Sequence, residues 1–91
     1  MLEPGYSSRF KKDYKIAQKR GLDLTLLDEV IRRLIEETPL SPSSHDHALT
    51  GSWRPRRECH IKPDWLLIYQ VDREEGLIVF ERTGTHADLF G

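Results

Sequence analysis

The residues with the greatest potential for chemistry in this 91-residue chain are four histidines, all in its second part. They are His45, His47, His60 and His86. Histidine exchanges a proton more readily near neutral pH than any other side chain, so it can serve as a general acid or a general base. We expect several of these histidines to lie on the edges of one small β-sheet, and such a group favours acid–base catalysis. For His45 taken alone, a surface or capping position is expected.

Cleavage of an RNA phosphodiester is a reaction that suits such a set. One group removes the proton from the ribose 2′-hydroxyl, so that this oxygen attacks the neighbouring phosphorus. A cationic group stabilises the added negative charge, and a second proton carrier protonates the departing 5′-oxygen. An aromatic ring can hold the splayed base by stacking. The reaction needs no metal and no cofactor, and none is predicted.

Metal binding is the competing use of the same residue types. His45-Asp46-His47 and Cys59-His60 offer ligands that zinc accepts, but their spacing matches the usual structural zinc patterns only loosely. Cys59, the single cysteine, is expected to be a small buried strand residue. The chain has no P-loop, GxSxG or HExxH motif, which leaves nucleotide-cofactor and serine-hydrolase functions without support.

Length and composition predict one small domain over residues 1–91. Charged residues make up 32% of the chain, hydrophobic residues make up 37%, and the net charge is −1. No apolar run approaches the roughly 20 residues of a membrane span, and we expect no membrane partner and a cytoplasmic protein. The charge is unevenly placed, since residues 9–20 and 53–62 are both rich in lysine and arginine. Two basic stretches in a near-neutral chain can still form a phosphate-binding surface.

The elements that must position these residues begin with two helices. Ser7 or Ser8 can cap a helix over about residues 9–20, and Gly21 is suited to end it. Asp23 opens a second amphipathic helix that ends at Thr38-Pro39. The two helices are expected to form an antiparallel hairpin, followed by a polar loop over residues 38–52.

Strand patterns fill the rest of the chain. Strands are predicted over 56–61, 65–71 and 77–83, and a further short one over Met1–Glu3 is cut by Pro4-Gly5. The order (β)ααβββ predicts an α+β fold, with the helical hairpin on one face of a small antiparallel sheet. The opposite face is expected to stay open for a ligand.

Three segments together carry a family resemblance: HALTGSWR (47–54), ECHIKPDWLLIYQ (58–70) and FERTGTHADLFG (80–91). With the basic stretch FKKDYKIAQKRG (10–21), they resemble the YafQ branch of the RelE/ParE toxin superfamily. The most specific parts are H-x-x-P-D-W and the terminal R-x-G-[ST]-H-x-x-L-F. The resemblance covers essentially the whole chain and implies a RelE-like fold.

The resemblance also implies a role for individual residues. The catalytic set it implies is His47, His60, Asp64, Arg82 and His86. Within this set His86 is expected to be the general acid, His47 or His60 the base, and Arg82 the group that faces the phosphate. Trp65, Phe90 and Arg56 are expected to bind substrate, although Trp65 and Phe90 suit a packing role as well. An alternative for Arg82 is a surface strand residue paired with Glu81 or Glu58.

The function implied is that of a ribosome-dependent endoribonuclease, the toxin of a type II toxin–antitoxin system. Its partners would be the ribosome, mRNA and a cognate antitoxin, in a hetero-oligomer of paired toxins and antitoxins. Two alternatives remain open. The first is a non-catalytic, ParE-like toxin that binds a protein target, and the second is a small metal-binding domain.

Overall fold

A computed structural model describes all 91 residues, which form three helices and a five-stranded sheet. The elements are β1 (Glu3–Tyr6), α1 (Ser8–Lys19), α2 (Leu24–Glu36), β2 (His47–Ala48), β3 (Arg57–Lys62), β4 (Trp65–Asp72), β5 (Leu77–Gly84) and α3 (His86–Phe90). The predicted α+β class is confirmed. No helix is long and apolar enough to span a membrane.

The sheet has the strand order β1-β5-β4-β3-β2. Strands β2 to β5 pair antiparallel, whereas β1 pairs parallel to β5, so the expectation of an antiparallel sheet is wrong at this edge. Hairpin-connected strands must be antiparallel. By contrast, β1 reaches β5 only through all the intervening elements and can pair in parallel.

The first strand is also longer than predicted, because Pro4 and Gly5 lie inside it. The backbone N–H groups of Glu3 and Ser7 donate to β5, at 2.8 and 3.0 Å from the carbonyl oxygens of Gly76 and Phe80. Pro4 lies between these donors on the edge strand of the sheet, where its missing N–H leaves no bond of the ladder unmade.

Both long helices begin and end within two residues of the positions that the sequence indicates. The Ser7 side chain accepts the N–H of Phe10, and the Asp23 side chain accepts the N–H of Thr25. Gly21 follows α1 with a φ of 75°, a conformation that glycine adopts without strain. The Ser7 hydroxyl also donates to the carbonyl oxygen of Glu81 at 2.8 Å, which ties the start of α1 to β5.

The two faces of the sheet are both covered, but unequally. The larger apolar cluster lies between the helices and the sheet and includes Trp65, Leu67 and Tyr69 of β4. On the other face, Leu66 and Ile68 pack against Leu89 of α3. That face is therefore partly closed, and the expectation that it would be left open is wrong.

The last residues form a short helix that follows β5. Thr85 caps α3 through a capping box, in which its side chain accepts the N–H of Asp88 and Asp88 accepts the N–H of Thr85. Arg20 of α1 then holds Asp88 through two hydrogen bonds, of 2.6 and 3.2 Å. These bonds tie the start of α3 to the end of α1.

Candidate active site

The register of the sheet places two of the predicted site residues, His47 and Arg82, in one row. His47 of β2 pairs with Glu58 of β3, Glu58 with Ile68 of β4, and Ile68 with Arg82 of β5. Residues directly opposite one another in a sheet project to the same face, here the face of α3. Neighbouring strands are about 4.8 Å apart, so the backbones of Glu58 and Arg82 are separated by roughly 10 Å.

Glu58 lies between two of the histidines. It is 5% exposed, and its Oε1 lies 3.6 Å from His47 Nε2 and 3.4 Å from His60 Nε2. The Nδ1 atom of His47 is in turn 2.6 Å from the carbonyl oxygen of His45. Because that carbonyl accepts only, Nδ1 of His47 carries the proton and Nε2 faces the carboxylate.

His86 is oriented by Asp64. Its Nδ1 lies 2.6 Å from Asp64 Oδ1, and the same oxygen accepts the backbone N–H of His86 at 2.9 Å. The backbone hydrogen bond, followed by the side-chain one, lowers the pKa of Asp64, so this carboxyl is an acceptor at neutral pH. The proton of Nδ1 is thereby fixed on the Asp64 side, and Nε2 is left for proton transfer.

Three of the four imidazoles and two further aromatic rings form a continuous row across this face. The ring centroids of His45 and His60 are 5.5 Å apart, and those of His60 and His86 are 5.9 Å apart. Phe90 follows at 6.5 Å from His86, and Trp53 at 5.1 Å from Phe90. His45 was expected only at a surface or capping position. It caps the C-terminus of the short 3₁₀ turn Pro42–Ser44, and its ring also contacts His60.

Arg82 is held from the helix side. Its Nε donates to Asp13 Oδ2 at 2.7 Å and its Nη2 to Asp13 Oδ1 at 3.2 Å, and Asp13 also accepts the N–H of Thr83. The hydrogen bond to Asp13 raises the pKa of Arg82. Neither Glu81 nor Glu58, the partners expected from the sequence if Arg82 were a surface residue, pairs with it.

Arg56 lies near Arg82 in a cleft of about 550 Å³. Its Nε donates to Glu81 Oε1 at 2.8 Å. Trp53 lines the same cleft. Its ring contacts Phe90, and the ring of Phe90 contacts that of His86. Phe90 is 43% exposed, so its ring is accessible to a ligand.

Trp65 has a different environment. It is 3% exposed, belongs to the apolar cluster under the helices, and donates its Nε1–H to Thr83 Oγ1 at 3.0 Å. A ring enclosed in this way cannot stack on a base, so its position supports the packing role and not the substrate-binding role expected for it.

A set of potential metal ligands does assemble, although it is not the set considered from the sequence. The ligand atoms of Glu58, His60 and His86 lie within 4.8 Å of one another. Cys59 is fully buried on the opposite face, and burial raises its pKa to about 12, so it is a poor ligand. A carboxylate with two imidazoles is a donor set that zinc or copper accepts.

Three residues of the site were not identified from the sequence as functional. They are Asp13, Glu58 and Glu81. Glu58 could have been noticed, because it lies two residues before His60 on the same predicted strand, which places both side chains on one face of the sheet. The contact between Asp13 and Arg82 joins residues 69 positions apart, and no local pattern predicts it.

Comparison with known proteins identifies the family of this chain. The model of the family described as "Bacterial toxin of type II toxin-antitoxin system, YafQ" matches residues 2–91. The chain belongs to the YafQ family of toxins. A relative in Escherichia coli K12, the mRNA interferase toxin YafQ, is 48% identical over 87 residues, which are 94% of this chain and 92% of the relative.

Solved structures of similar toxins share the fold over nearly their whole length. A chain of the E. coli DinJ–YafQ toxin–antitoxin complex superposes with a TM-score of 0.91 and 46% identity, covering 99% of this chain and 98% of that one. A metal-bound toxin from Helicobacter pylori superposes with a TM-score of 0.93 and 46% identity, covering 99% and 100%.

Proposed function

We propose that this chain is the toxin of a type II toxin–antitoxin system and that it cleaves mRNA on the translating ribosome, in the cytoplasm, with residues 1–91 acting as one domain. The observation that carries the proposal is the hydrogen bond of His86 to Asp64, with the His60 ring 5.9 Å away. The E. coli relative at 48% identity is an mRNA interferase toxin, which agrees with that arrangement.

The reaction is carried by side chains. His47 or His60 removes the proton from the ribose 2′-hydroxyl, and the 2′-oxygen then attacks the adjacent phosphorus. Arg82 stabilises the charge on the phosphate, and Nε2 of His86 donates a proton to the departing 5′-oxygen. Asp64 accepts the Nδ1 proton of His86 and stabilises the imidazolium form, from which Nε2 gives up its proton.

Glu58 supports whichever histidine acts as the base. Its carboxylate is within 3.6 Å of both His47 and His60, so it stabilises the imidazolium that forms when the proton is taken up. Phe90 and Arg56 bind the RNA beside the scissile phosphate, by base stacking and by phosphate contact respectively.

The antitoxin partner is proposed to bind across the helices and the basic surface of residues 9–20. An acidic, partly disordered chain that folds on binding suits such a surface. The E. coli YafQ toxin is seen in complex with DinJ. Paired toxins and antitoxins would form the larger assembly.

The test is cleavage of a defined mRNA on translating ribosomes, compared with the same RNA free in solution. The proposal expects cleavage on the ribosome by the parent protein, little cleavage of free RNA, and loss of cleavage with added antitoxin. Growth arrest without any mRNA cleavage would contradict the nuclease activity and favour a non-catalytic toxin that binds a protein target.

A second candidate role for the same site is reversible metal binding. The ligand atoms of Glu58, His60 and His86 are close enough to share one ion, and the H. pylori relative is a metal-bound toxin. An ion held there would occupy the nitrogen atoms that the reaction needs, so it would inhibit cleavage. Isothermal titration of the toxin with Zn²⁺ and Cu²⁺ tests this role.

A further inference from the structure

Two arginines at one cleft each donate a hydrogen bond from Nε to a carboxylate. Nε of Arg82 donates to Asp13, and Nε of Arg56 donates to Glu81, at 2.7 and 2.8 Å. The two arginines line the same cleft of about 550 Å³, on the face of the sheet that carries His86. The Arg82–Asp13 pair is largely shielded, with side chains 15% and 10% exposed, whereas the side chains of Arg56 and Glu81 are 30% and 21% exposed.

The geometry of these contacts leaves part of each guanidinium free. A guanidinium has five N–H donors, and Asp13 takes the Nε–H and one N–H of Nη2 of Arg82. The two N–H groups of Nη1 and one of Nη2 have no partner in the protein. They form the end-on fork that matches two oxygens of a phosphate group.

We propose that Asp13 and Glu81 are positioning residues, which fix Arg82 and Arg56 so that their free N–H groups bind RNA phosphate in this cleft. The inference rests on the proposed function and deepens it, by naming what orients the phosphate-binding arginines. An arginine restrained at Nε loses little rotational freedom when a ligand binds, so more of the interaction energy appears as affinity.

The surroundings of the cleft support phosphate as the ligand. Arg9 at the start of α1 adds a third guanidinium, and Glu81, which is already paired, is the one carboxylate among the lining residues. Trp53 connects the cleft to Phe90 and His86, so an RNA chain can lie along the cleft and reach the catalytic histidine.

The experiment measures binding of a 2′-O-methyl RNA oligonucleotide by fluorescence anisotropy at low salt. Such an RNA cannot be cleaved, because it has no free 2′-hydroxyl. The variant Asp13→Asn removes a negative charge, and by long-range electrostatics alone it would bind RNA more tightly. The proposal expects the opposite, a loss of affinity of about tenfold, the size of roughly one charge-assisted hydrogen bond.

The matched control is Glu29→Gln, which changes the net charge equally. Glu29 pairs with Arg32 and Arg33 on α2, away from the cleft. It is expected to bind RNA as well as the parent or slightly better. In the Arg82→Ala background, Asp13→Asn should cause no further loss, since the two residues act through one contact.

Three results would overturn the proposal. They are no binding of this RNA by the parent, unchanged or tighter binding by Asp13→Asn, and an equal loss in the Arg82→Ala background. Should Asp13→Asn fail to fold, Glu81→Gln gives the same test through Arg56, with the same expected weakening. Failure of the proposed nuclease function shows separately, as absent cleavage by a parent protein that still binds the uncleavable RNA.

Discussion

Asp64 Oδ1 accepts both the ring Nδ1–H and the backbone N–H of His86, at 2.6 and 2.9 Å. One carboxylate oxygen thus fixes the first turn of α3 and the ring that α3 presents. Asp64→Asn is expected to lower the rate of mRNA cleavage by about 10²-fold, because an amide holds the imidazole tautomer less strictly. The measurement is single-turnover cleavage on ribosomes, with circular dichroism to confirm the fold. A rate within a few-fold of the parent would show that cleavage does not require the Asp64 carboxylate.

Asp88 is expected to stabilise the protein in a pH-dependent way. The hydrogen bond from Arg20, followed by that from the Thr85 N–H, places the pKa of Asp88 well below its usual range. A carboxyl with a lowered folded-state pKa stabilises the protein above its unfolded pKa of about 4, and this contribution is lost as the pH falls. Asp88→Asn should therefore cost about 1 kcal/mol at pH 7, less at pH 3, and progressively less as the pH falls further through the folded-state pKa.

Urea unfolding at the two pH values measures this difference. Glu74→Gln is the matched control, because Glu74 is exposed in the β4–β5 turn and its side chain has no partner. It should change the stability little at either pH. An Asp88→Asn cost that is the same at pH 7 and pH 3 would contradict the assigned role of the charge.

Gly84 is expected to tolerate no side chain. A Cβ added at Gly84 would lie 2.9 Å from Oδ2 and 3.0 Å from Cβ of Asp88, closer than such atoms approach. Gly84→Ala should therefore displace the start of α3, with a loss of cleavage greater than any loss of global stability. Gly76→Ala is the control, because Gly76 has a φ of 67° and an added Cβ meets nothing within 4 Å; it should lower global stability through backbone strain and leave cleavage unchanged. Normal cleavage by Gly84→Ala would show that α3 need not be held so closely.

Several features of this fold could be predicted from the sequence, because local signals determine them. The caps at Ser7 and Asp23 fix where the helices begin, and the apolar run from Trp65 marks the central strand. The resemblance located His60, Asp64 and His86, which the structure brings together. The extent of β1 was missed because Pro4 is compatible with a strand only at a sheet edge, and the sequence does not reveal which strand is the edge.

The parts of the site that were missed depend on contacts between distant residues. Arg82 was expected to pair with an acid on its own sheet, if with any. Its partner Asp13 lies on α1, whose position against β5 follows from the packing of the whole core. Trp65 was ambiguous because a tryptophan at a strand end can face the core or a cleft. The bond from its Nε1 to Thr83 resolves this in favour of the core.

Trp65 and Phe90 should respond oppositely to substitution. Trp65→Phe loses the hydrogen bond to Thr83 and is expected to cost about 1–3 kcal/mol of stability, with little effect on RNA binding. Phe90→Ala, at an exposed ring, should weaken RNA binding and cost less stability. Thermal unfolding and anisotropy on the same samples give both quantities. Weaker RNA binding by a folded Trp65→Phe variant would show that Trp65 contributes to substrate binding.

Metal ions are expected to inhibit cleavage through Glu58. If Zn²⁺ binds to Glu58, His60 and His86, micromolar Zn²⁺ should slow cleavage and a chelator should restore it. Glu58→Gln removes one anionic ligand, so the Zn²⁺ concentration needed for inhibition should rise by about tenfold or more. Asp72→Asn, at the end of β4, is the control for the lost charge. Equal inhibition of the parent and Glu58→Gln would place the ion elsewhere.

The most direct test of the proposed mechanism is single-turnover cleavage of ribosome-bound mRNA by folded His86→Ala protein. The His86 side chain is 55% exposed, so its loss should leave the fold intact. If His86 protonates the 5′-oxygen, the rate should fall by roughly 10²–10⁴-fold while the toxin still binds the ribosome. A rate within a few-fold of the parent would contradict this role and indicate that His47 or His60 is the general acid.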